Sequence, residues 1–268
     1  MGELEVTRRD QLTPNVTETA FFVPRDDSSV PAIAWLPPSA DRLPPVVLFG
    51  HGGSGHKAID RHRRMGSRLA GEFGIAALAI DGPYHGDRIV PGDGPLDYQH
   101  RVVAEGPVAV HERMRDDWLT VLSTVGDEQM VDDEFVGYLG VSMGARYGIV
   151  LCAALGERLR AAVIGKFGLI APDPMMAAMA AHELVRRSAT AITAPVLHHV
   201  QWDDEVFTRD GQLELFELLG SPLKQLRGRP GRHAVTRAVD EDSWVEHLVR
   251  NLQPPDNRSE AYAAGLEL

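Results

Sequence analysis

One cysteine in 268 residues rules out an internal disulfide and any zinc site built from cysteines. That residue, Cys152, lies in the apolar helical stretch LCAAL and reads as a buried structural thiol rather than a reactive one. No apolar run approaches the roughly 18 residues that span a bilayer, so no transmembrane helix is expected. Basic residues are in deficit, 27 Lys and Arg against 38 Asp and Glu for a formal charge of -11, and a chain so acidic is poorly suited to nucleic acid or an anionic membrane surface. The opening MGELEVTRRDQ is charged and lacks the apolar core of a secretory signal, so the expectation is a soluble cytoplasmic protein. Fixed-period repeats and low-complexity linkers are also missing, which favours one domain over residues 1–268, with a core at about 16–252 and a polar tail, 254–268, that frays.

What the chain does contain is a rhythm. Short β-rich runs alternate with helical patterns, as in an α/β protein with a mostly parallel sheet of about eight strands and helices on both faces. VTETAFFVP (16–24) and VPAIAWLP (30–37) read as antiparallel opening strands. PPVVLFG (44–50), GIAALAID (74–81), FVGYLGV (135–141), AAVIGKFG (161–168), APVLHHVQW (194–202) and KQLRGRPG (224–231) follow as further strands. Several of these are apolar throughout, the pattern of strands buried on both faces. Between them lie helices at about 59–73, 111–125, 145–155, 174–189, 209–219 and 241–252, and a long Gly- and Pro-rich stretch to about 108. The basic RHRR run at 61–64 reads as a solvated helix face.

The chemistry concentrates where strands end. GVSMG (140–144) places Ser142 between a buried strand and a helix. The two glycines remove Cβ atoms where strand and helix must approach, permitting a sharp turn that lifts the hydroxyl clear of the sheet: the G-x-S-x-G nucleophile elbow. The amide of Met143, at the start of the following helix, then points toward any negative oxygen forming beside the serine. A nucleophilic serine needs a base, and the base an orienting acid. In an open parallel sheet both belong at the carboxyl ends of neighbouring strands. Asp203-Asp204 follow one strand and His233 follows the last, giving the order Ser, Asp, His. That order fits the α/β-hydrolase arrangement and neither the chymotrypsin-like nor the subtilisin-like one.

Five segments together carry a resemblance: GHGGSG (50–55), DGPYHGDR (81–88), GVSMG, WDDEVF (202–207) and PGRH (230–233). With them the chain resembles the α/β-hydrolase superfamily, and within it the dienelactone-hydrolase-like esterases, whose fold is compact with little or no cap. The resemblance implies a serine hydrolase acting on a small-molecule carboxylic ester through Ser142, His233 and an acid, without metal or organic cofactor. The acid sits in a D-x-x-V/F setting in such enzymes, which favours Asp204 over Asp203. HGGSG is similar to the HGGG-type oxyanion loop of lipases and esterases and suggests the Gly53 amide as second donor, with Ser54 the alternative. In DGPYHGDR, Tyr84 stands where the related turn carries glycine, which puts a ring at the pocket mouth; the turn's ordinary role is structural. Met175 and Met176 either fill the core or line the acyl pocket.

Other readings fit less well. HGGSGHKA lacks the P-loop order, because Lys57 precedes Ala58 rather than Ser or Thr; and although Gly53-x-Gly55-x-x-Ala58 approximates a dinucleotide fingerprint, it leaves the Ser, Asp and His arrangement unexplained. Eleven histidines invite a metal-hydrolase reading, yet no H-E-x-x-H or comparable cluster exists. The same fold and triad also serve thioester, amide and C–C bond cleavage or acyl transfer, and an idle triad on a binding protein is the remaining alternative.

Overall fold

A computed structural model describes residues 4–26 and 28–252. The polar tail expected at 254–268 lies outside the described residues.

Among the described residues nine strands form a single sheet: β1 (Glu5–Thr13), β2 (Val16–Arg25), β3 (Ser28–Leu36), β4 (Pro45–Gly50), β5 (Ala76–Ile80), β6 (Asp132–Val141), β7 (Leu159–Gly165), β8 (Val196–Gln201) and β9 (Lys224–Arg229). Their spatial order is β1-β2-β3-β5-β4-β6-β7-β8-β9. The first three run antiparallel, β3 joins β5 antiparallel, and everything from β5 to β9 is parallel. The sequence suggested about eight strands; the extra one is β1. Its EVTRRDQLT is exposed almost throughout and has no buried face, so alternation gives no sign of it. It is held by backbone pairing to β2 and by Arg8, which reaches the buried carboxylate of Glu18. Trp35 Nε1 donates to the same carboxylate at 2.8 Å.

Among the described residues eight α-helices flank the sheet: α1 (Asp60–Phe73), α2 (Asp97–Glu105), α3 (Pro107–Asp127), α4 (Met143–Leu155), α5 (Pro174–Ala178), α6 (His182–Ala191), α7 (Arg209–Leu218) and α8 (Ala238–Leu252). One face buries Trp35, Phe49 and Leu139 against Met65 and Leu69 of α1 and Trp244 and Leu248 of α8. The other buries Leu48, Tyr138 and Ile164 against Trp118 of α3, Ile149 of α4 and Val185 of α6. Coverage on both sides explains the apolar strands. It also explains why His198 and His199, which point to opposite faces, are both fully buried.

Three sequence expectations change in detail. The 111–125 helix begins earlier, at Pro107, because proline is preorganised for a first turn and Gly106, at φ 102°, supplies the break before it. The 174–189 helix is two, separated where Ala181 takes φ 44°. The basic run at the start of α1 is not wholly solvated, since His62 within it is buried against Phe49, their rings 5.2 Å apart. No helix among the described residues is long and apolar enough to cross a membrane.

Candidate active site

The carboxyl ends of β4, β6, β7, β8 and β9 meet at one edge of the sheet, and the loops leaving them build the site. Ser142 joins β6 to α4 with φ 59° and ψ −123°, a conformation that L residues rarely hold outside constrained sites. Close packing enforces it. A Cβ on Gly140 would lie 2.7 Å from backbone of Gly144, and one on Gly144 would lie 2.2 Å from the carbonyl oxygen of Gly50. Only glycine permits this approach of β4, β6 and α4. Ser142 N–H donates to Gly165 O at 2.9 Å, tying the turn to the end of β7.

His233, between β9 and α8, places Nε2 2.9 Å from Ser142 Oγ. Its Nδ1 donates to Asp204 Oδ2 at 2.8 Å. The Asp204 side chain is fully buried while the imidazole keeps 19% exposure, so the acid is dry and the base stays accessible from solvent. The second oxygen of Asp204 accepts from the amides of Val206 and Phe207 at 2.8 and 2.9 Å, which fixes the carboxylate plane. Asp203 points elsewhere: its Oδ2 accepts from Gly231 N–H at 2.9 Å and pins the histidine loop to the end of β8. With Nδ1–H committed to Asp204, Nε2 is free to accept the serine proton.

Gly53 sits in the loop after β4, between two imidazoles. His51 Nδ1 donates to Gly52 O at 2.8 Å, and its Nε2 accepts from Gly82 N–H at 2.8 Å. Such a pair of bonds needs a neutral ring, and burial pushes this histidine down to about 4. His85 Nε2 stands 2.9 Å from Gly53 O, so the carbonyls of Gly52 and Gly53 are both held by side chains. The DGPYHGDR turn is bound to the same loop by Asp81, fully buried, whose carboxylate accepts from Lys57 N and Nζ and from Asp87 N. Met143 opens α4, where the first amides of a helix lack intrahelical acceptors.

A cavity of about 470 Å³ lies beside this loop, lined by Gly53, Ser54, Tyr84, His85, Leu96 and Tyr98 among others. Tyr84 takes φ 63° and its hydroxyl bonds Glu105 at the end of α2, with Arg113 stacked over the ring. Met175 and Met176 on α5 pack partly buried against the core and lie outside the lining of that cavity. A larger cavity, about 900 Å³, opens at the opposite edge near Pro45, Ile75 and Asp132 and shares no residue with the serine cluster.

Two contributors escaped the sequence reading. Tyr98, 8% exposed, packs its ring 4.5 Å from that of His85 and walls the Gly53 loop. Lys166, directly after β7, is 3% exposed and reaches the histidine loop. A lysine inside the apolar run AAVIGKFG was the available signal. Among the described residues no group of three or more His, Cys, Asp or Glu is arranged to hold a metal ion.

No family model matches the chain, and no curated protein does. Solved structures do. A cold-adapted esterase from an Arctic intertidal metagenomic library, in its complex with PEG, superposes with a TM-score of 0.76 at 30% identity, over 92% of this chain and 98% of that one. An acetyl xylan esterase from Paenibacillus sp. R4 gives 0.71 at 16% identity over 93% and 88% of the two chains. A candidate dienelactone hydrolase from Klebsiella pneumoniae subsp. pneumoniae MGH 78578 gives 0.64 at 19% over 92% and 95%. The last two speak for the fold alone, whereas the first is a relative matched over nearly its whole length. With that relative and this sheet, the chain belongs to the esterases of the α/β-hydrolase superfamily.

Proposed function

We propose that the protein is a serine hydrolase that cleaves a carboxylic ester of a small molecule through an acyl-enzyme intermediate. The observation that carries the reading is the unbroken relay from Ser142 Oγ to His233 Nε2 at 2.9 Å and from His233 Nδ1 to Asp204 at 2.8 Å. In this reading His233 takes the serine proton as Oγ attacks the ester carbonyl, and buried Asp204 holds the ring in the tautomer that can do so and stabilises the imidazolium that forms. Negative charge then grows on the carbonyl oxygen. The amides of Met143 and Gly53 are the donors that meet it, reinforced by the amino end of α4. Each such donor is worth about 3 to 4 kcal/mol in the barrier, so the loop geometry around Gly53 matters nearly as much as the base. His233 returns the proton to the leaving alcohol, and a water, deprotonated by the same ring, releases the acid.

The cavity at Gly53, Ser54 and Tyr84 is of a size for a small ester group, at the lower end of ordinary ligand pockets of about 300 to 1,000 Å³. Its lining mixes apolar Ile89 and Leu96 with the polar Ser54, Tyr84, His56 and Asp93, which suits a polar acyl or alcohol moiety. Incubation with a fluorophosphonate probe and with p-nitrophenyl acetate tests the reading. The wild type is expected to label once per chain and to turn over the ester, and Ser142→Ala to do neither. An unlabelled, inert wild type would favour a binding protein, and full turnover by Ser142→Ala would rule out the serine mechanism.

A further inference from the structure

His233 rides on a loop, residues 230–237, that has neither helix nor strand. Its ring nonetheless has to hold two short bonds at once. Bonds on the outer side of this loop come from groups open to solvent: Asp203 to Gly231 N–H, Glu205 Oε2 to His233 N–H at 2.9 Å, and Arg237 Nη2 to Pro230 O at 3.1 Å. Water competes for each of these. From beneath, buried Gln201 donates through Nε2 to Pro230 O at 3.4 Å, buried Asp240 accepts from Arg237 N–H at 3.0 Å and half-buried Arg61 donates to Thr236 Oγ1 at 3.1 Å, but one buried group makes three bonds to the loop, the backbone of the histidine included. Lys166 Nζ donates to His233 O at 3.1 Å, to Thr236 Oγ1 at 2.7 Å and to Val235 O. All three of its N–H bonds are thereby spent on the residue bearing the imidazole and on those two and three positions later.

We propose that Lys166 is a positioning residue for hydrolysis: its buried ammonium tethers the 233–236 backbone so that the His233 ring stays in line between Asp204 and Ser142. The inference rests on the triad reading above. Two features separate Lys166 from an ordinary structural lysine. Its backbone sits at φ 49°, in the left-handed region, which is what turns the side chain from the end of β7 toward the histidine loop. Among the described residues no carboxylate comes within ion-pair distance of its Nζ, whereas Lys57 is paired with both Asp81 and Asp87. Burial pushes the Lys166 ammonium down to about 8, with Arg61 of α1 acting in the same direction and Asp240 of α8 and Asp204 opposing it. A charge kept dry without a carboxylate partner is costly, and among the described residues its acceptors all lie on the histidine loop.

Lys166→Met keeps the aliphatic stem and removes all three bonds. Thr236→Val removes one acceptor, which Arg61 Nη2 shares at 3.1 Å, and leaves the lysine in place. Both are assayed for kcat and KM on a short p-nitrophenyl ester at a temperature well below the melting point of each variant. Lys166→Met is expected to lose about 10- to 100-fold in kcat with KM within twofold, because misalignment of the base penalises the transition state rather than ester binding. Thr236→Val is expected to lose a few-fold in kcat with an unchanged melting temperature. A folded Lys166→Met with wild-type kcat, however much lower its melting point, would make the lysine merely structural and overturn the proposal. Should Lys166→Met fail to fold, Thr236→Val decides, and wild-type kcat there overturns it equally. Ser142→Ala, run alongside, separates this failure from failure of the serine mechanism itself.

Discussion

Acidification from pH 7.5 to 5.5 is expected to remove much of the protein's stability, because the fold buries an unusual number of neutral imidazoles. His51, His62, His111, His198 and His199 are each 2% exposed or less. Burial pushes His51, His198 and His199 to about 4 and His62 and His111 to about 3. In the unfolded chain all five return to about 6.5. Their folded values lie below their unfolded ones, so the native state binds fewer protons across this window, and stability falls as the pH drops below about 6.5 toward the folded values. At pH 5.5 an unfolded imidazole is about nine-tenths protonated and its buried counterpart is almost wholly neutral, so unfolding takes up on the order of four protons from the five. Each group by then costs somewhat over 1 kcal/mol, and together they cost on the order of 6 kcal/mol, comparable with the whole stability of about 5 to 15 kcal/mol that a domain has.

Urea unfolding at pH 7.5, 6.5 and 5.5 and fixed ionic strength, followed by fluorescence of buried Trp35, Trp118 and Trp244, measures the effect directly. The extrapolated free energy should drop by several kcal/mol, most steeply below pH 6.5, before carboxylates begin to titrate. His111→Phe should flatten the slope by close to one proton. His111 suits this because its ring packs 4.7 Å from that of Tyr147, its Nδ1 donates to Pro107 O at 2.6 Å, and its Nε2 has no partner among the described residues. A loss below about 2 kcal/mol over the two pH units, or an unchanged slope in the variant, would refute the reasoning. The consequence reaches the site through His51. Protonating its Nε2 turns the acceptor of the Gly82 amide into a donor, so the Gly53 loop loosens as the fold does.

Three further substitutions probe the site itself. Asp204→Asn should lower kcat by about 10³- to 10⁴-fold by favouring the wrong tautomer of His233, whereas Asp203→Asn, whose amide oxygen can still accept from Gly231, should cost less than about tenfold; steady-state kinetics of the pair distinguishes them. Gly53→Ala would set a Cβ 2.6 Å from the hydroxyl of Tyr98, whose ring is wedged against His85, so the loop must shift; kcat is expected to fall by about 10²-fold or more while the melting temperature moves by only a few degrees.

The parts of this protein that the sequence discloses are those decided by neighbours in the chain. Ser142 is visible because its strained turn is dictated by glycines two residues to either side, and the buried parallel strands are visible because both faces of each must be apolar. β1 is invisible for the converse reason: it buries no face, so its side chains carry no record of pairing with β2. The site divides the same way. Asp203 and Asp204 are adjacent, identical in side chain and both bonded to the histidine loop, and only a backbone path set by amides at 206, 207 and 231 sends one carboxylate to Nδ1 and the other to an amide. Lys166 meets its acceptors 67 to 70 positions away, so its place in an apolar run hints that it is buried but no local pattern announces what it holds. A nucleophile must be prepared by its own turn, but a base on an irregular loop is aimed from a distance. The residues doing the aiming are therefore ones that motif reading passes over, and an unpaired charge buried at a strand end is the physical sign by which they are found.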